Sequence, residues 1–209
     1  MYTLWIANKN YSSWSLRPWI LLKALEITFN EQLSYFEDDK SSYEKFKAFS
    51  PTGLVPCLVE GEITVWDSLT IVEYLAENHT QVWPQDRIAK AWARSASAEM
   101  HSGFATLRQT CAMNCSKQFE FREISLELQC DIDRLDALWS DGLTKFGGEW
   151  LAGNTFTAVD AFFAPVAFRA QTYGLKFSAI SQAWVDRMLK HPAMVEWAEA
   201  AAKEPEIEH

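Results

Sequence analysis

The chain has 209 residues, of which 48% are hydrophobic and 22% charged, a composition that predicts one large or two small globular domains. Its formal net charge of −9 argues against nucleic-acid binding, because no cluster of Lys and Arg supplies a basic surface. No apolar stretch approaches the length of about 18 residues that a membrane span needs, and the N-terminus lacks the pattern of a signal peptide. We therefore expect a cytoplasmic protein that binds neither membranes nor nucleic acids.

The four cysteines give no sign of a disulfide framework or a metal site. In a cytoplasmic chain they are expected to be reduced, and Cys111 and Cys115 have no second Cys or His pair at zinc-ligand spacing. Cys57 follows Pro56 at a position where a buried core residue is expected. The sequence therefore predicts no bound metal.

Alternating strands and helices are predicted for residues 1–79. Period-two apolar patterns and turn residues indicate strands, and an amphipathic period indicates helices. The short polar run "SSYEKFKAF" is a helix or a loop. The other elements are the strands Tyr2–Ala7, Phe29–Phe36, "VPCLVE" and "ITVW", and the helices Leu16–Leu25 and Ser68–Asn78. The order β-α-β-α-β-β-α predicts a small mixed sheet covered by helices.

A boundary is predicted after this region. The polar segment Asn78–Asp86 carries Pro84, as linkers often do. Residues 87–209 then read as helical throughout, with two long helices at Arg87–Arg108 and Phe119–Phe146. We expect a small α/β domain over residues 1–79 and an all-α domain over residues 87–209.

Three serines crowd the junction between the first strand and the first helix, in "NYSSWSLRPW". Serine is a common helix N-cap, and Ser15 is placed to cap this helix. Hydroxyls at a helix N-terminus also form a site for an anion, or for a group that becomes anionic. The sequence supports both interpretations, with Ser15 as the helix cap and another serine of the turn in contact with the anionic group.

The segment "SPTGLVPCL" places Pro56 at the start of a strand. A proline that cannot donate to the ladder belongs at a sheet edge, which is one explanation. The other is a cis Val55–Pro56 bond, which presents the backbone of Val55 to a peptide that lies alongside as an added strand.

Asp67 and Ser68 open the helix that follows the last strand. Ser68 suits the N-cap position, and a helix N-terminus with a hydroxyl is also an anion site. The carboxylate of Asp67 can bind an ammonium group. A ligand that carries both an α-amino and an α-carboxylate group would fit this pair.

Together these motifs resemble the cytosolic glutathione transferases. The serine turn, "VP" before the third strand and the Asp-Ser pair occur in the family's order, and "GNTFTAVDAFFAP" resembles its buried capping box, with Thr157 as N-cap and Asp160 three residues on. The resemblance covers essentially the whole chain. It implies a thioredoxin-like N-terminal domain, an all-α C-terminal domain and glutathione as co-substrate. It places the γ-glutamyl end at Asp67 and Ser68 and the cysteinyl backbone at Val55 and Pro56.

Within the superfamily, "SSWSLRPW" resembles the serine turn of the bacterial-type, zeta-like members. Trp14 stands where the zeta-class cysteine would be, a departure that weakens an assignment as a maleylacetoacetate isomerase. The resemblance makes Ser12 the residue that activates the thiol, with Ser13 as the alternative one position on. Arg17 is expected to organise the turn.

A second departure lies at Leu54, where many relatives carry Lys or Gln near the glycine end of glutathione. Leu54 offers only its backbone there, and Lys40 or Ser41 is the candidate replacement.

The acceptor pocket is expected between the serine turn and the helical domain, with Trp14, His101, Phe104 and Arg108 on its walls. His101 and Arg108 there would favour an anionic acceptor, although ion-paired or solvated side chains explain them equally well. The commoner explanation of the stripe Met100, Phe104, Leu107 and Cys111 is a buried core face.

The resemblance implies a homodimeric, serine-type glutathione transferase that attacks small electrophiles, a detoxification activity. The alternatives are a glutathione-dependent cis-trans isomerase of a maleyl-type dicarboxylate and a non-catalytic glutathione- or ligand-binding protein of the same fold. A module that binds partner proteins is a further class, which the absence of an added domain disfavours.

Overall fold

The computed structural model describes residues 1–37, 41–119 and 123–205. Its N-terminal part contains a four-stranded mixed sheet in the order β2-β1-β3-β4. Strand β1 pairs parallel to β2 and antiparallel to β3, and β3 pairs antiparallel to β4. The strands are β1 Tyr2–Ile6, β2 Phe29–Leu33, β3 Cys57–Glu60 and β4 Ile63–Val65.

Three helices alternate with these strands, namely α1 Ser13–Ala24, α2 Ser41–Phe46 and α3 Ser68–Asn78. Alternate residues of β1 are buried, because Tyr2, Leu4 and Ile6 point to one face of the sheet. Helices α1 and α3 pack against each other. This order of elements confirms the predicted thioredoxin-like arrangement.

The rest of the described chain is helical, after a 3-10 turn at Thr80–Val82. Helix α7 is apolar on all sides and almost wholly buried, as expected of a helix at the centre of a domain. It packs against α1, α4 and α8, so one helix joins the core of the helical part to the N-terminal part. The helices are α4 Arg87–Ser102, α5 Ala105–Thr110, α6 Leu126–Phe146, α7 Ala158–Tyr173, α8 Ala179–Lys190 and α9 Pro192–Ala201.

The predicted capping box at the start of α7 is confirmed, with Thr157 as N-cap and Asp160 at the third helical position. Asp160 is completely buried and accepts hydrogen bonds from the backbone N–H groups of Leu151 and Thr157 and from Nε1 of Trp184. Burial raises the pKa of this carboxyl to about 6. One carboxylate thus connects the start of α7 to the preceding loop and to α8.

The single long helix predicted over Arg87–Arg108 is wrong. Helix α4 ends at Ser102, Gly103 caps it, and Phe104 adopts a left-handed conformation with φ of 58° before α5 begins. A Cβ on Gly103 would lie 2.8 Å from the carbonyl oxygen of Glu99, so this turn has no room for a side chain. The apolar period continues through the break, which is why the sequence pattern read as one helix.

Two other helix starts also differ from the prediction. Helix α6 begins at Leu126 with Ser125 as its N-cap, and Phe119 lies outside it, where its N–H donates to the carbonyl of Thr172. Helix α1 begins at Ser13, three residues earlier than predicted, so Pro18 lies inside the helix.

Among the described residues, no helix is long and apolar enough to cross a membrane.

Candidate active site

The serine turn connects β1 to α1. The carbonyl oxygen of Asn8 accepts hydrogen bonds from the N–H groups of Tyr11 at 3.1 Å and Ser12 at 2.8 Å. Ser12 is therefore the last residue before the helix, and its side chain makes no capping bond to the helix backbone. Its hydroxyl therefore lies at the N-terminus of α1 and is not used to cap the helix.

The hydroxyl of Ser12 donates instead to Oγ of Ser15, over 2.7 Å. Ser15 Oγ also accepts from the backbone N–H of Ala7 at 3.3 Å. Ser15 lies inside the helix and is completely buried, so the prediction that it caps α1 is wrong. The hydrogen bond between the two hydroxyls lets Ser15 orient the Ser12 side chain.

Two cavities meet at this turn. Their shared walls are Trp14, Leu54 and Val55. The first, of about 600 Å³, is also lined by Ser12, Ser13, Tyr43 and neighbouring residues of α2. The second, of about 730 Å³, is also lined by Pro56, Trp66, Asp67, Ser68 and His101. The serine turn and the start of α3 thus face two adjacent cavities that share part of their lining.

The Val55–Pro56 peptide bond is cis, in agreement with the second reading of this proline. Leu54 is 62% exposed on the rim of both cavities. Cys57, directly after the proline, is buried in β3, and burial raises the pKa of its thiol. This thiol is therefore poorly suited to act as a nucleophile.

At the start of α3 the predicted N-cap, Ser68, is wrong. Asp67, rather than Ser68, is the N-cap, with Oδ1 accepting from the N–H groups of Leu69 at 3.0 Å and Thr70 at 3.4 Å. The other oxygen, Oδ2, lies 3.0 Å from Nε2 of His101 on α4. The better N-cap geometry of Asp67 leaves the hydroxyl of Ser68 at the first helical position.

Ser68 is buried, and its Oγ lies 3.5 Å from Nη1 of Arg17. The Arg17 guanidinium lies over the rings of Trp14 at 4.3 Å and Phe162 at 4.9 Å. Its Nε has no hydrogen-bond partner within the described part of the chain. Burial, together with the positive charges of Arg108 and Arg169, holds its pKa well below the usual range. Such a cation stabilises any negative charge placed beside Ser68.

The sequence did not predict this contact of Arg17 with Ser68. The signal in the sequence was the spacing of four residues between Ser13 and Arg17, which places both on one face of α1.

Arg108 does not point into either cavity. Its guanidinium folds back on the end of α4 and donates to the carbonyl oxygens of Met100, Gly103 and His101. It also lies over the Trp14 ring, at 4.8 Å from the ring centroid. The indole of Trp14 is thus in contact with two guanidinium groups, which favours a fixed ring position.

Phe104 lines neither cavity and is buried with Met100, Leu107 and Cys111, which confirms the core interpretation of this stripe. His101 does line the second cavity, with its ring edge-on to Trp14 at 5.2 Å. Burial lowers the pKa of His101, and Arg17 and Arg108 add to this effect while Asp67 opposes it. The imidazole is therefore neutral at neutral pH. Lys40, the remaining predicted site residue, lies outside the described residues.

The described residues contain no group of three or more His, Cys, Asp or Glu side chains arranged to hold a metal ion.

Comparison with known proteins gives the family. Residues 11–78 match the glutathione S-transferase N-terminal domain, and residues 90–200 match the glutathione S-transferase C-terminal domain. The chain belongs to the glutathione S-transferase family. It is similar to glutathione S-transferase GstB of Escherichia coli, with 26% identity over 93% of this chain and 96% of the relative. It is also similar to a probable maleylacetoacetate isomerase of Caenorhabditis elegans, with 28% identity over 85% of this chain and 81% of that protein.

A solved structure with the same fold is a glutathione transferase homologue from Burkholderia with bound glutathione. It superposes with a TM-score of 0.70 at 20% identity, over 98% of this chain and 99% of that one.

Proposed function

We propose that this glutathione transferase family member activates the glutathione thiol through the hydroxyl of Ser12 for attack on a small electrophile. The observation that carries the proposal is the pair of cavities joined at Trp14 and Val55, which face Ser12 on one side and the Asp67–Ser68 pair on the other. A tripeptide with an amino-carboxylate end and a central thiol matches these groups in order. In this assignment residues 1–79 bind glutathione, and residues 87–209 supply the wall facing the acceptor.

In the proposed binding mode, Asp67 takes the γ-glutamyl ammonium group. Ser68 takes the carboxylate at the start of α3, where the helix dipole and the buried Arg17 favour negative charge. The cysteinyl backbone pairs with Val55 as an added strand. The glycine end then enters the first cavity beside Leu54, with Lys40 as a further candidate contact.

The chemistry required of the chain is modest. A free thiol has a pKa near about 8.5, and lowering it by about two units requires roughly 2.7 kcal/mol of preferential stabilisation of the thiolate. One charge-assisted hydrogen bond from Ser12, beside the N-terminus of α1, is of this order. When Ser12 turns toward sulfur, Ser15 can donate in turn to Ser12 Oγ over the same 2.7 Å, since a hydroxyl both donates and accepts.

The proposed function is tested by two measurements on the same preparation. Calorimetry with glutathione and with S-methylglutathione measures binding, and a thiol-conjugation assay against aryl halides, epoxides, hydroperoxides and maleyl compounds measures turnover. We expect binding and at least one conjugation activity. Binding without turnover of any compound would favour the ligand-binding alternative, and no binding at all would contradict both.

The isomerase remains the second candidate, because the probable maleylacetoacetate isomerase of C. elegans is among the relatives. Cis-trans isomerisation of a maleyl-type dicarboxylate needs reversible addition of the thiolate and a cationic environment for the substrate. Turnover of maleyl compounds without net loss of glutathione would identify this activity in the same assay.

Asp67→Asn should weaken glutathione binding about tenfold and change kcat at saturation by less than about twofold. Asparagine is as good an N-cap as aspartate, so the variant keeps the helix start and removes only the charge that would bind the ammonium. Calorimetry and steady-state kinetics measure the two effects. Asp86→Asn is the matched control, because Asp86 caps α4 in the same way and lines neither cavity. Equal affinities for Asp67→Asn and the control would remove Asp67 from the binding site.

Acidification from pH 7.5 to 5.5 should weaken the binding of S-methylglutathione in the wild-type protein. The pKa of His101 is depressed, so the ring is neutral at pH 7.5 and gains its proton only as the pH falls through a value below 6.5. The imidazolium then competes with the ligand's ammonium for Asp67 Oδ2. Calorimetry at several pH values checks this, and His101→Gln should give a flat profile. A flat wild-type profile would contradict the competition.

We also propose a homodimer, as the family resemblance implies. Large apolar side chains are exposed at the second cavity and on strand β4, with Leu54 at 62%, Trp66 at 42% and Ile63 at 50% exposure. A two-fold contact over this region would cover them and approach Asp67. Sedimentation at micromolar concentration measures the assembly, and a fully active species of 23.9 kDa would contradict it.

A further inference from the structure

The C-terminal segment after α9 reaches back to the serine turn. Glu204 lies three residues beyond the end of α9, and its Oε1 and Oε2 accept hydrogen bonds from the backbone N–H groups of Lys9 at 2.8 Å and Asn10 at 3.0 Å. The contacts join positions 195 and 194 residues apart in sequence. One carboxylate therefore satisfies two consecutive backbone donors, an arrangement that fixes the path of the turn.

Residues from other distant segments also bind Lys9 and Asn10. Trp197 on α9 donates from Nε1 to the carbonyl oxygen of Lys9 at 2.7 Å, and Cys115 donates its N–H to Oδ1 of Asn10 at 2.8 Å. The ammonium group of Lys9 pairs with Glu31 on β2 at 2.7 Å. Lys9 and Asn10 are both buried, so solvent cannot readily replace these bonds.

The clamped residues lie directly before the serines. Asn8 and Ser12 are joined by the backbone hydrogen bond that closes the turn, with Lys9 and Asn10 inside it. A shift of these two residues displaces Ser12, and catalytic hydrogen bonds are sensitive to displacements of about 1 Å. None of the residues from the C-terminal segment lines either cavity, so any influence on the reaction passes through the turn.

We propose that Glu204 is a positioning residue for thiol activation, holding the turn of residues 8–12 so that the Ser12 hydroxyl meets the glutathione sulfur. The inference rests on the proposed function of Ser12. It assigns a catalytic consequence to a C-terminal segment that lines neither cavity.

The test compares Glu204→Ala and Glu204→Gln with Glu196→Ala. Glu196 lies on α9 and pairs with Lys23 of α1 at 2.7 Å, so the control also removes one carboxylate and one contact between the C-terminal helix and the N-terminal part. The readouts are the pKa of bound glutathione, from the ultraviolet absorbance of its thiolate, and the separate values of kcat and KM.

For Glu204→Ala we expect the pKa of bound glutathione to rise by about one unit and kcat at pH 6.5 to fall about fivefold, with KM for glutathione little changed. Glu204→Gln keeps one acceptor oxygen and should show a smaller shift in the same direction. It also supplies the comparison if Glu204→Ala does not fold. The inference is overturned if Glu204 variants match Glu196→Ala in thiol pKa and in kcat.

Hydrogen exchange separates failure of this inference from failure of the proposed function. If the wild-type protein binds no glutathione, the proposed function is wrong. Amide exchange at Lys9 and Asn10 still measures whether Glu204 restrains the turn. Faster exchange at these two amides in Glu204→Ala than in Glu196→Ala supports the positioning role. Unchanged exchange overturns it.

Discussion

Ser12→Ala should lower kcat about 50-fold at pH 6.5 while changing glutathione affinity by less than about threefold. In the proposed mechanism the hydroxyl lowers the pKa of the bound thiol by about two units, so a large fraction would be thiolate at pH 6.5. Without it, about 1% remains ionised. The loss should shrink as the pH rises, because the thiol of the variant ionises on its own at higher pH. Binding is largely preserved because Asp67, Ser68 and Val55 are untouched.

The measurement is a pH-rate profile beside the thiolate absorbance of the bound peptide. Ser13→Ala is the matched control, since Ser13 lines the same cavity but is the first residue of α1. Ser15→Ala removes the partner that contacts Ser12 at 2.7 Å and should give an intermediate loss. If Ser13→Ala shifts the profile and Ser12→Ala does not, the activating residue is one position further on.

The order of elements in the N-terminal domain was predictable because its elements are short and turn residues separate them. Buried and half-buried residues alternate along β1, although the other strands show no such pattern. The break between α4 and α5 was not predictable in this way. Its cause is a left-handed Phe104 after a sterically restricted Gly103, and neither interrupts the apolar period. An apolar period identifies the buried face of a segment, but it does not detect a turn that leaves the same face buried.

The residues of the proposed site divide in the same way, into those that local motifs predict and those that they do not. Ser12, Val55 and Asp67 stand at junctions between elements, where a sequence motif fixes both the backbone and the chemistry. Arg17 and Glu204 act through contacts that tertiary packing creates, with Ser68 and with the amides of Lys9 and Asn10. Separations of 51 and about 195 residues leave no local pattern from which such contacts could be read. The role of Ser15 was misassigned because the helix begins earlier than its apolar run suggests.

Trp14 explains how the site departs from the zeta-like pattern. Where that pattern has a small cysteine, this chain has an indole in contact with Arg17 and Arg108, and the indole lines both cavities. The larger indole leaves less open volume next to Ser12 than a cysteine would.

Asp160→Ala should lower the free energy of unfolding by about 4 kcal/mol at neutral pH, the largest stability effect expected outside the apolar core. The substitution leaves the N–H groups of Leu151 and Thr157 and Nε1 of Trp184 buried without their acceptor. Each orphaned donor costs about 1–3 kcal/mol. Urea unfolding followed by circular dichroism measures the effect, and a loss below about 1 kcal/mol would contradict it.

Asp160→Asn separates the charge from the hydrogen bonds. The folded pKa of about 6 lies above the ordinary value of 3.8, so between these values the folded state keeps a proton that the unfolded state has released. The contribution of Asp160 to stability is therefore full below the lower value and falls as the pH rises toward 6, by up to about 3 kcal/mol. Asparagine does not titrate, so its cost relative to wild type should be largest near pH 4 and shrink toward pH 7. Urea unfolding across this range gives the difference directly. A cost that stays constant with pH would show that the buried carboxyl ionises at its ordinary pKa and that the three donors fully offset its burial.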